Sequence, residues 1–294
     1  MPEAKSCRGC QEASSGPVQA DVRDVRIGAT LDKIRYKLFV MSGKGGVGKS
    51  SVAVNVACAL AESGARVGLL DVDLHGPSVP RMLGLSGAMD VKRGTTIVPK
   101  RFGDNLLVVS MQSLLVDPDQ AVLWRGPMKT TAIRQFIADV EWGELDYLVI
   151  DSPPGTGDEH LTVLKTVRDA LCLLVTTPQE LSLADVRKTI NFLQYANANI
   201  LGVVENMSGL ACPYCHREIE LFKKGGGEAL ARAYGLDFLG AVPLDPSTVV
   251  AGDLGRPVVL LTGESPAKQA FLALATAVEA ACRSSLEAAA TLCP

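Results

Sequence analysis

The run Gly43-Lys44-Gly45-Gly46-Val47-Gly48-Lys49-Ser50-Ser51 has the residue types and the spacing to hold a phosphate chain. It fits the pattern G-x-x-x-x-G-K-[ST], in which glycines let successive backbone N–H groups curl around phosphate oxygens. The N-terminus of a following helix adds its positive end. In such a loop Lys49 reaches the β- and γ-phosphates of a nucleotide, and the Ser50 hydroxyl ligates Mg²⁺. A second set of groups lies at Asp151, which closes the apolar run Tyr147-Leu148-Val149-Ile150 and is followed by Ser-Pro-Pro-Gly-Thr-Gly-Asp. A carboxylate emerging from a strand beside a phosphate loop can hold the magnesium shell, and Gly155 and Gly157 allow the next loop to respond to the γ-phosphate. Two more acids, Asp71 and Asp73, follow the apolar run Val67–Leu70, on what should be the same sheet edge.

Cys212-Pro213-Tyr214-Cys215 offers different chemistry. Two thiolates at this spacing bind one metal or one cluster edge, but they supply only half of a tetrahedral set. A two-fold dimer, each chain donating a pair, completes the set. So does Cys7-Arg8-Gly9-Cys10 in the same chain. An iron–sulfur cluster, a zinc ion and a dithiol redox pair compete for this motif. The redox reading ranks below the metal readings, because a redox C-x-x-C belongs at a strand-to-helix junction of a small thioredoxin-like fold. Cys58 and Cys172 fall inside apolar patterns and read as core residues.

These groups need a frame. The chain has 294 residues, 47% apolar and 21% charged, with a net charge of −3. That is enough for one large α/β unit with a sizeable core. The slight acidity argues against a nucleic-acid surface, which normally carries a basic excess. Met1–Gly16 carries no apolar signal segment, and no run reaches the ~18–20 apolar residues of a membrane span. A cytoplasmic protein is expected, which makes a disulfide framework improbable for its eight cysteines. Short, nearly continuous apolar runs predict strands at 38–41, 67–71, 106–111, 147–151, 171–176, 201–205 and 238–242, the pattern of parallel strands buried on both faces. Helices are predicted at 50–63, 128–139, 161–166, 183–196, 226–234 and 266–289. Their alternation predicts an α/β fold: a doubly wound, mostly parallel sheet with helices on both faces. Residues 1–36 read as a flexible lead-in, 37–294 as the nucleotide-binding domain, 89–102 as a small hairpin excursion and 208–226 as an insertion.

The loop's extra lysine, Lys44 directly after Gly43, resembles the deviant Walker A class of ATPases. That class includes nitrogenase iron proteins, division-site and partition ATPases, and iron–sulfur carriers of the Mrp/ApbC type. The resemblance implies that Lys44 reaches the nucleotide of a facing subunit in an ATP-sandwiched homodimer. It also implies that Asp73 orients the attacking water, with Asp71 as the lesser candidate, and that Asn206 reads the adenine. Further matching stretches are Asp71–Gly84, Trp124–Lys129, Asp151–Glu159, Glu205–Ser208, Cys212–Cys215, Gly225–Glu228 and Val242–Asp245. Together they resemble the Mrp/ApbC family of iron–sulfur cluster carrier ATPases across residues 36 to 265. The family resemblance implies a homodimer that holds a [4Fe–4S] cluster between two Cys212/Cys215 pairs and delivers it to apo iron–sulfur proteins, with ATP, Mg²⁺ and slow hydrolysis, and with no nucleic acid or membrane as partner. Two alternatives stay open: a partition or positioning ATPase, and a cluster-based electron-transfer ATPase. Neither partition nor positioning requires the Cys-x-x-C motif. The alanine-rich C-terminal helix carries few cations, which suits membrane docking poorly.

Overall fold

The computed structural model describes residues 22–73, 76, 78–92, 96–114, 126–211, 215, 217–219 and 221–292. Cys7, Cys10, His75, Trp124, Arg125 and Cys212 lie outside the described residues. In chain order the elements are α1 (Val22–Leu31), β1 (Ile34–Ser42), α2 (Lys49–Glu62), β2 (Val67–Asp71), α3 (Val79–Met82), β3 (Val91–Lys92), β4 (Thr96–Ile97), β5 (Lys100–Phe102) and β6 (Leu106–Ser110). There follow α4 (Gly126–Asp139), β7 (Leu145–Asp151), α5 (Asp158–Thr166), β8 (Leu171–Thr176), α6 (Glu180–Tyr195) and β9 (Asn199–Ala211). The last are β10 (Glu218–Ile219), α7 (Gly226–Tyr234), β11 (Phe238–Leu244), α8 (Pro246–Asp253) and α9 (Pro266–Leu292).

Among the described residues one nine-stranded sheet runs in the order β10-β9-β8-β1-β7-β2-β6-β5, with β11 also paired to β9. The pairings of β1, β2, β6, β7, β8, β9 and β11 are parallel, and the short strands β5 and β10 pair antiparallel. Every residue of β2 and β8 is buried. The reason is that side chains alternate between two cores. Leu38, Val40, Val149 and Leu173 face α2 and α9, whereas Phe39, Met41, Ile150 and Leu174 face α4 and α6. The chain is thus a doubly wound α/β sheet with helices on both faces.

Winding reverses around β1. From β1 the chain moves through β2 to β6 on one side, and from β7 it crosses to β8 and β9 on the other. Ligands of such sheets bind beyond the carboxyl ends of the strands at that reversal. The parallel registers align those ends: Val40 pairs with Asp151, and Asp71 pairs with both Asp151 and Ser110.

Four details differ from the sequence expectation. Residues 22–36, expected within the lead-in, form α1 and the start of β1. Ile27 of α1 enters the core, and Arg26 meets Asp139 of α4 at 2.9 Å. The 89–102 excursion splits, because β3 and β4 make a separate two-stranded ribbon while β5 joins the main sheet. Asp245 caps an additional helix, α8, by accepting the Ser247 N–H at 2.8 Å, with Pro246 in its first turn. Finally, β9 continues past Glu205 to Ala211, so the 208–226 stretch begins as strand, and β10 turns back to pair with Leu210 and Ala211. Among the described residues no helix is long and apolar enough to cross a membrane.

Candidate functional site

The phosphate loop leaves β1 and enters α2 as the motif requires. Gly43 is there for space. A Cβ at this position would lie 2.4 Å from the main-chain carbon of Asp185 on α6. Gly48 is there for conformation as well as space. Its φ of 79° is left-handed, and a Cβ would sit 2.1 Å from the Asn206 amide nitrogen. Gly45 and Gly46 are exposed, Val47 is buried, and Lys44 lies half-buried with its carbonyl accepting the Ser42 hydroxyl at 3.0 Å.

Lys49 is buried and its ammonium donates to Asp151 Oδ1 at 2.5 Å and to the Ser50 hydroxyl at 3.2 Å. The loop lysine and the strand-ending acid therefore meet, 102 positions apart in sequence. The other carboxylate oxygen, Asp151 Oδ2, is buried without a hydrogen-bond partner. Ser51 Oγ and Thr248 Oγ1 are in the same condition. Buried orphans of this kind are expensive unless a ligand satisfies them. Ser51 and Thr248 line a cavity of about 280 Å³ whose walls include Asn206, Met207, Val242 and Phe271. A mainly apolar slot that includes Gly48 and Ser51 of the phosphate-loop region and carries a few polar groups fits a nucleoside. The free oxygen of Asp151 beside the Ser50 hydroxyl provides hard oxygen donors of the sort Mg²⁺ takes.

Asn206 Nδ2 donates to the Val47 carbonyl at 2.8 Å, so the middle of β9 touches the phosphate loop directly. Asp73 is half-buried, accepts the Gly76 N–H at 3.2 Å, and lines an open cleft of about 410 Å³ together with Pro153, Thr156 and Glu159. Asp71 does not share that exposure. It is fully buried, accepts the Asp73 N–H at 3.0 Å and the Ser110 hydroxyl at 3.0 Å, and thereby holds Asp73 in place. Burial, with the neighbouring Asp151 charge second, pushes its pKa up to about 8. Burial thus favours the protonated form of Asp71, which supports Asp73 through the main chain.

Cys215 is free and exposed, eight residues after Met207. Among the described residues no group of three or more His, Cys, Asp or Glu converges as a metal site. Cys58, Cys172 and Cys282 are buried, and burial pushes each thiol up to about 12, leaving them inert.

Two positioning groups escaped the sequence reading. Glu205, wholly buried, accepts Ser208 Oγ at 2.6 Å, Gly225 N–H at 2.9 Å and Gly227 N–H at 2.6 Å. It binds the N-terminus of α7 to the strand carrying Asn206, where helix dipole and bare N–H groups favour a carboxylate. Its only sequence signal is an acid at the end of an apolar run. His160, in the first turn of α5, bonds main-chain atoms on both sides of the loop after Asp151. No spacing rule marks it.

A cavity fit for a nucleoside, orphan hydroxyls in its lining, and a buried lysine–aspartate pair at the phosphate loop place this chain among the P-loop NTPases, with a nucleotide-hydrolase type of site. Comparison with known proteins narrows the class. Residues 33–279 match the family model described as ParA: NUBPL iron-transfer P-loop NTPase. The chain belongs to that family. It is 47% identical over 240 residues to the iron-sulfur cluster carrier protein of Methanocaldococcus jannaschii, covering 81% of this chain and 83% of the relative. It is likewise 47% identical over 261 residues to the protein of that name from Saccharolobus solfataricus, covering 88% of each. Among solved structures, a nucleotide-binding protein from Archaeoglobus fulgidus in complex with ADP superposes with a TM-score of 0.71 at 38% identity, over 83% of this chain and 98% of the other. The cell division ATPase MinD of Pyrococcus furiosus shares the fold at a TM-score of 0.59 and 26% identity, over 83% and 98%.

Proposed function

We propose that this chain is an iron–sulfur cluster carrier that binds a cluster through Cys212 and Cys215 and passes it to apoproteins, using ATP binding and slow hydrolysis. The observation that carries the reading is the continuity of β9. The strand whose Asn206 donates to the phosphate loop runs on to Ala211, at the foot of the cysteine motif. Membership in an iron-transfer family and the carrier relatives support it. Because one chain offers two thiolates, a homodimer with the cluster shared as [4Fe–4S] between two cysteine pairs is the assembly proposed, with Lys44 addressing the facing subunit's nucleotide.

In the proposed hydrolysis Lys49 would exchange Asp151 for the β- and γ-phosphates, and Ser50 and Asp151 would hold Mg²⁺. A bound magnesium ion neutralises charge that develops on the phosphate oxygens. Asp73 orients water for attack. The water oxygen bonds to the γ-phosphorus, the bond to the β–γ bridging oxygen breaks, ADP departs, and the water's proton goes to solvent. Asn206 exchanges its bond to the Val47 carbonyl for the base edge, its amide having both a donor and an acceptor.

Anaerobic reconstitution with iron and sulfide tests the reading. The wild type should gain the absorption of a cluster and elute as a dimer. Cys212→Ala/Cys215→Ala should do neither. A wild-type chain that stays monomeric with iron, sulfide and ATP, or a double variant that takes up the same cluster, rules it out.

A further inference from the structure

His160 takes no part in the hydrolysis proposed so far, yet its surroundings are built around it. The side chain is 1% exposed. It occupies the third position of α5, and the Phe39 ring lies 5.9 Å from its own. Its Nδ1 is 3.1 Å from the Gly157 N–H, and its Nε2 is 3.1 Å from the Pro153 carbonyl. A backbone N–H only donates, so Nδ1 must be the bare nitrogen. A carbonyl only accepts, so the proton of the neutral ring must sit on Nε2. One tautomer satisfies both bonds, and the imidazolium satisfies only one of them.

The ring thus spans the loop that follows Asp151. That loop is fastened at two further points to the strand feeding the phosphate loop. Ser152 N–H donates to Val40 at 3.2 Å, and Gly155 N–H donates to Ser42 at 3.1 Å. Its residues Pro153, Thr156 and Gly157 line the same cleft as Asp73. We infer that His160 is a positioning residue for nucleotide hydrolysis, its neutral ring fixing the main chain of residues 153–157 at the distance from Asp73 that the attacking water requires. The charged groups facing the ring are Glu159, Lys49 and Asp73. Burial outweighs the two acids and lowers the ring's pKa from 6.5 to about 4, so it stays neutral wherever the enzyme works. The inference rests on the proposed ATP hydrolysis.

Two variants and one spectroscopic measurement test it. His160→Leu fills the site but removes both bonds. Its kcat for ATP should fall about tenfold to a hundredfold, the scale of small misplacements of reacting groups, while KM for ATP and the affinity for ADP stay within about twofold. His160→Gln restores one donor and one acceptor at a capping-box position and should recover about a third or more of the wild-type kcat. Hydrolysis by His160→Leu at the wild-type rate overturns the inference. So does equal loss in both variants, or a loss of ADP affinity matching the loss of kcat. Should His160→Leu fail to fold, ¹⁵N-histidine labelling of the wild type decides: His160 must show a bare Nδ1 and a protonated Nε2 at neutral pH, and the other tautomer or a charged ring overturns it. A wild type that hydrolyses no nucleotide at all refutes the functional reading instead.

Discussion

Replacing Gly43 by alanine puts one methyl group against atoms that cannot rotate away. The added Cβ would lie 2.4 Å from the Asp185 main-chain carbon, 2.6 Å from the Val186 nitrogen and 2.7 Å from the Asp185 oxygen, all within α6. Relief requires the phosphate loop or the helix to shift, because no flexible side chain is available to move. Overpacking costs typically ~1–3 kcal/mol, and a helix-backbone contact belongs at the upper end, so Gly43→Ala should lose about 2–3 kcal/mol. For a chain of 294 residues that is a fall in Tm of roughly 3–5 °C. Gly45→Ala is the control. There the Cβ meets only Pro154, at 3.8 Å, an ordinary contact, and the change should be within about 0.5 kcal/mol. Thermal melts of both nucleotide-free variants, followed by titration with a fluorescent ADP analogue, separate the two. A loop displaced by Gly43→Ala should bind ADP at least about tenfold more weakly, equivalent to ~1.4 kcal/mol. If Gly43→Ala melts with the wild type and binds ADP equally well, the claim that α6 sets the position of the phosphate loop is wrong.

Lys49→Ala should abolish ATP hydrolysis and impair cluster delivery while leaving the reconstituted cluster intact, as read by absorption; loss of the cluster itself would contradict the separation of the two sites. Asn206→Ala removes the 2.8 Å bond to Val47 and should bring ADP and GDP affinities together, measured by calorimetry, whereas unchanged base discrimination removes Asn206 from the base pocket. Asp71 carries a pH dependence. Its folded pKa of about 8 exceeds the unfolded 3.8, so the native state holds a proton that the unfolded chain releases, and the stability it confers is lost as pH rises from about 4 through about 8. Asp71→Asn, neutral throughout and still able to accept the Asp73 N–H, should flatten the decline of Tm between about pH 6 and about pH 8.5; a slope equal to the wild type's assigns that decline to other groups.

The sheet was legible because its strands are buried on both faces, and nothing but continuous apolar runs survives there. Val67–Asp71 and Leu171–Thr176 begin and end where the sequence pattern places them. The helix starts were less legible. An apolar pattern begins α5 at Leu161, yet the helix begins at Asp158. The polar triplet Asp158-Glu159-His160 looks like loop until His160 is seen to satisfy the Gly157 N–H, a bond that apolar periodicity does not register. α1 hid for a related reason: Ile27 is its only buried residue. The candidate site shows the same division. Lys49, Ser50 and Asp151 stood out in the sequence because a glycine-rich loop after one strand and an acid closing another are spacing signals, and the fold brings Lys49 and Asp151 together. Glu205, Ser110 and His160 bond to backbone or to other side chains, a task that many residue types perform.

β9 is where the sequence misled most usefully. Asn206, Ser208 and Gly209 are turn-forming residues, and Met207 and Gly209 do adopt left-handed φ values of 58° and 74°. Ordinarily that ends a strand. Here partners on the flanks hold it: Leu210 pairs with Leu244 of β11 and with Ile219 of β10. Glu205 clamps the strand to α7 beneath the two irregular residues. On the proposed reading, a shift of the Asn206 amide when a base enters the cavity would be passed along β9 as far as Ala211 through this hydrogen-bonded ladder and carboxylate clamp. Cutting the clamp with Glu205→Gln, which cannot accept all three donors, should leave ADP affinity unchanged but uncouple the exposure of Cys215 to a thiol reagent from nucleotide; identical nucleotide dependence in the variant would show that the ladder alone carries the coupling.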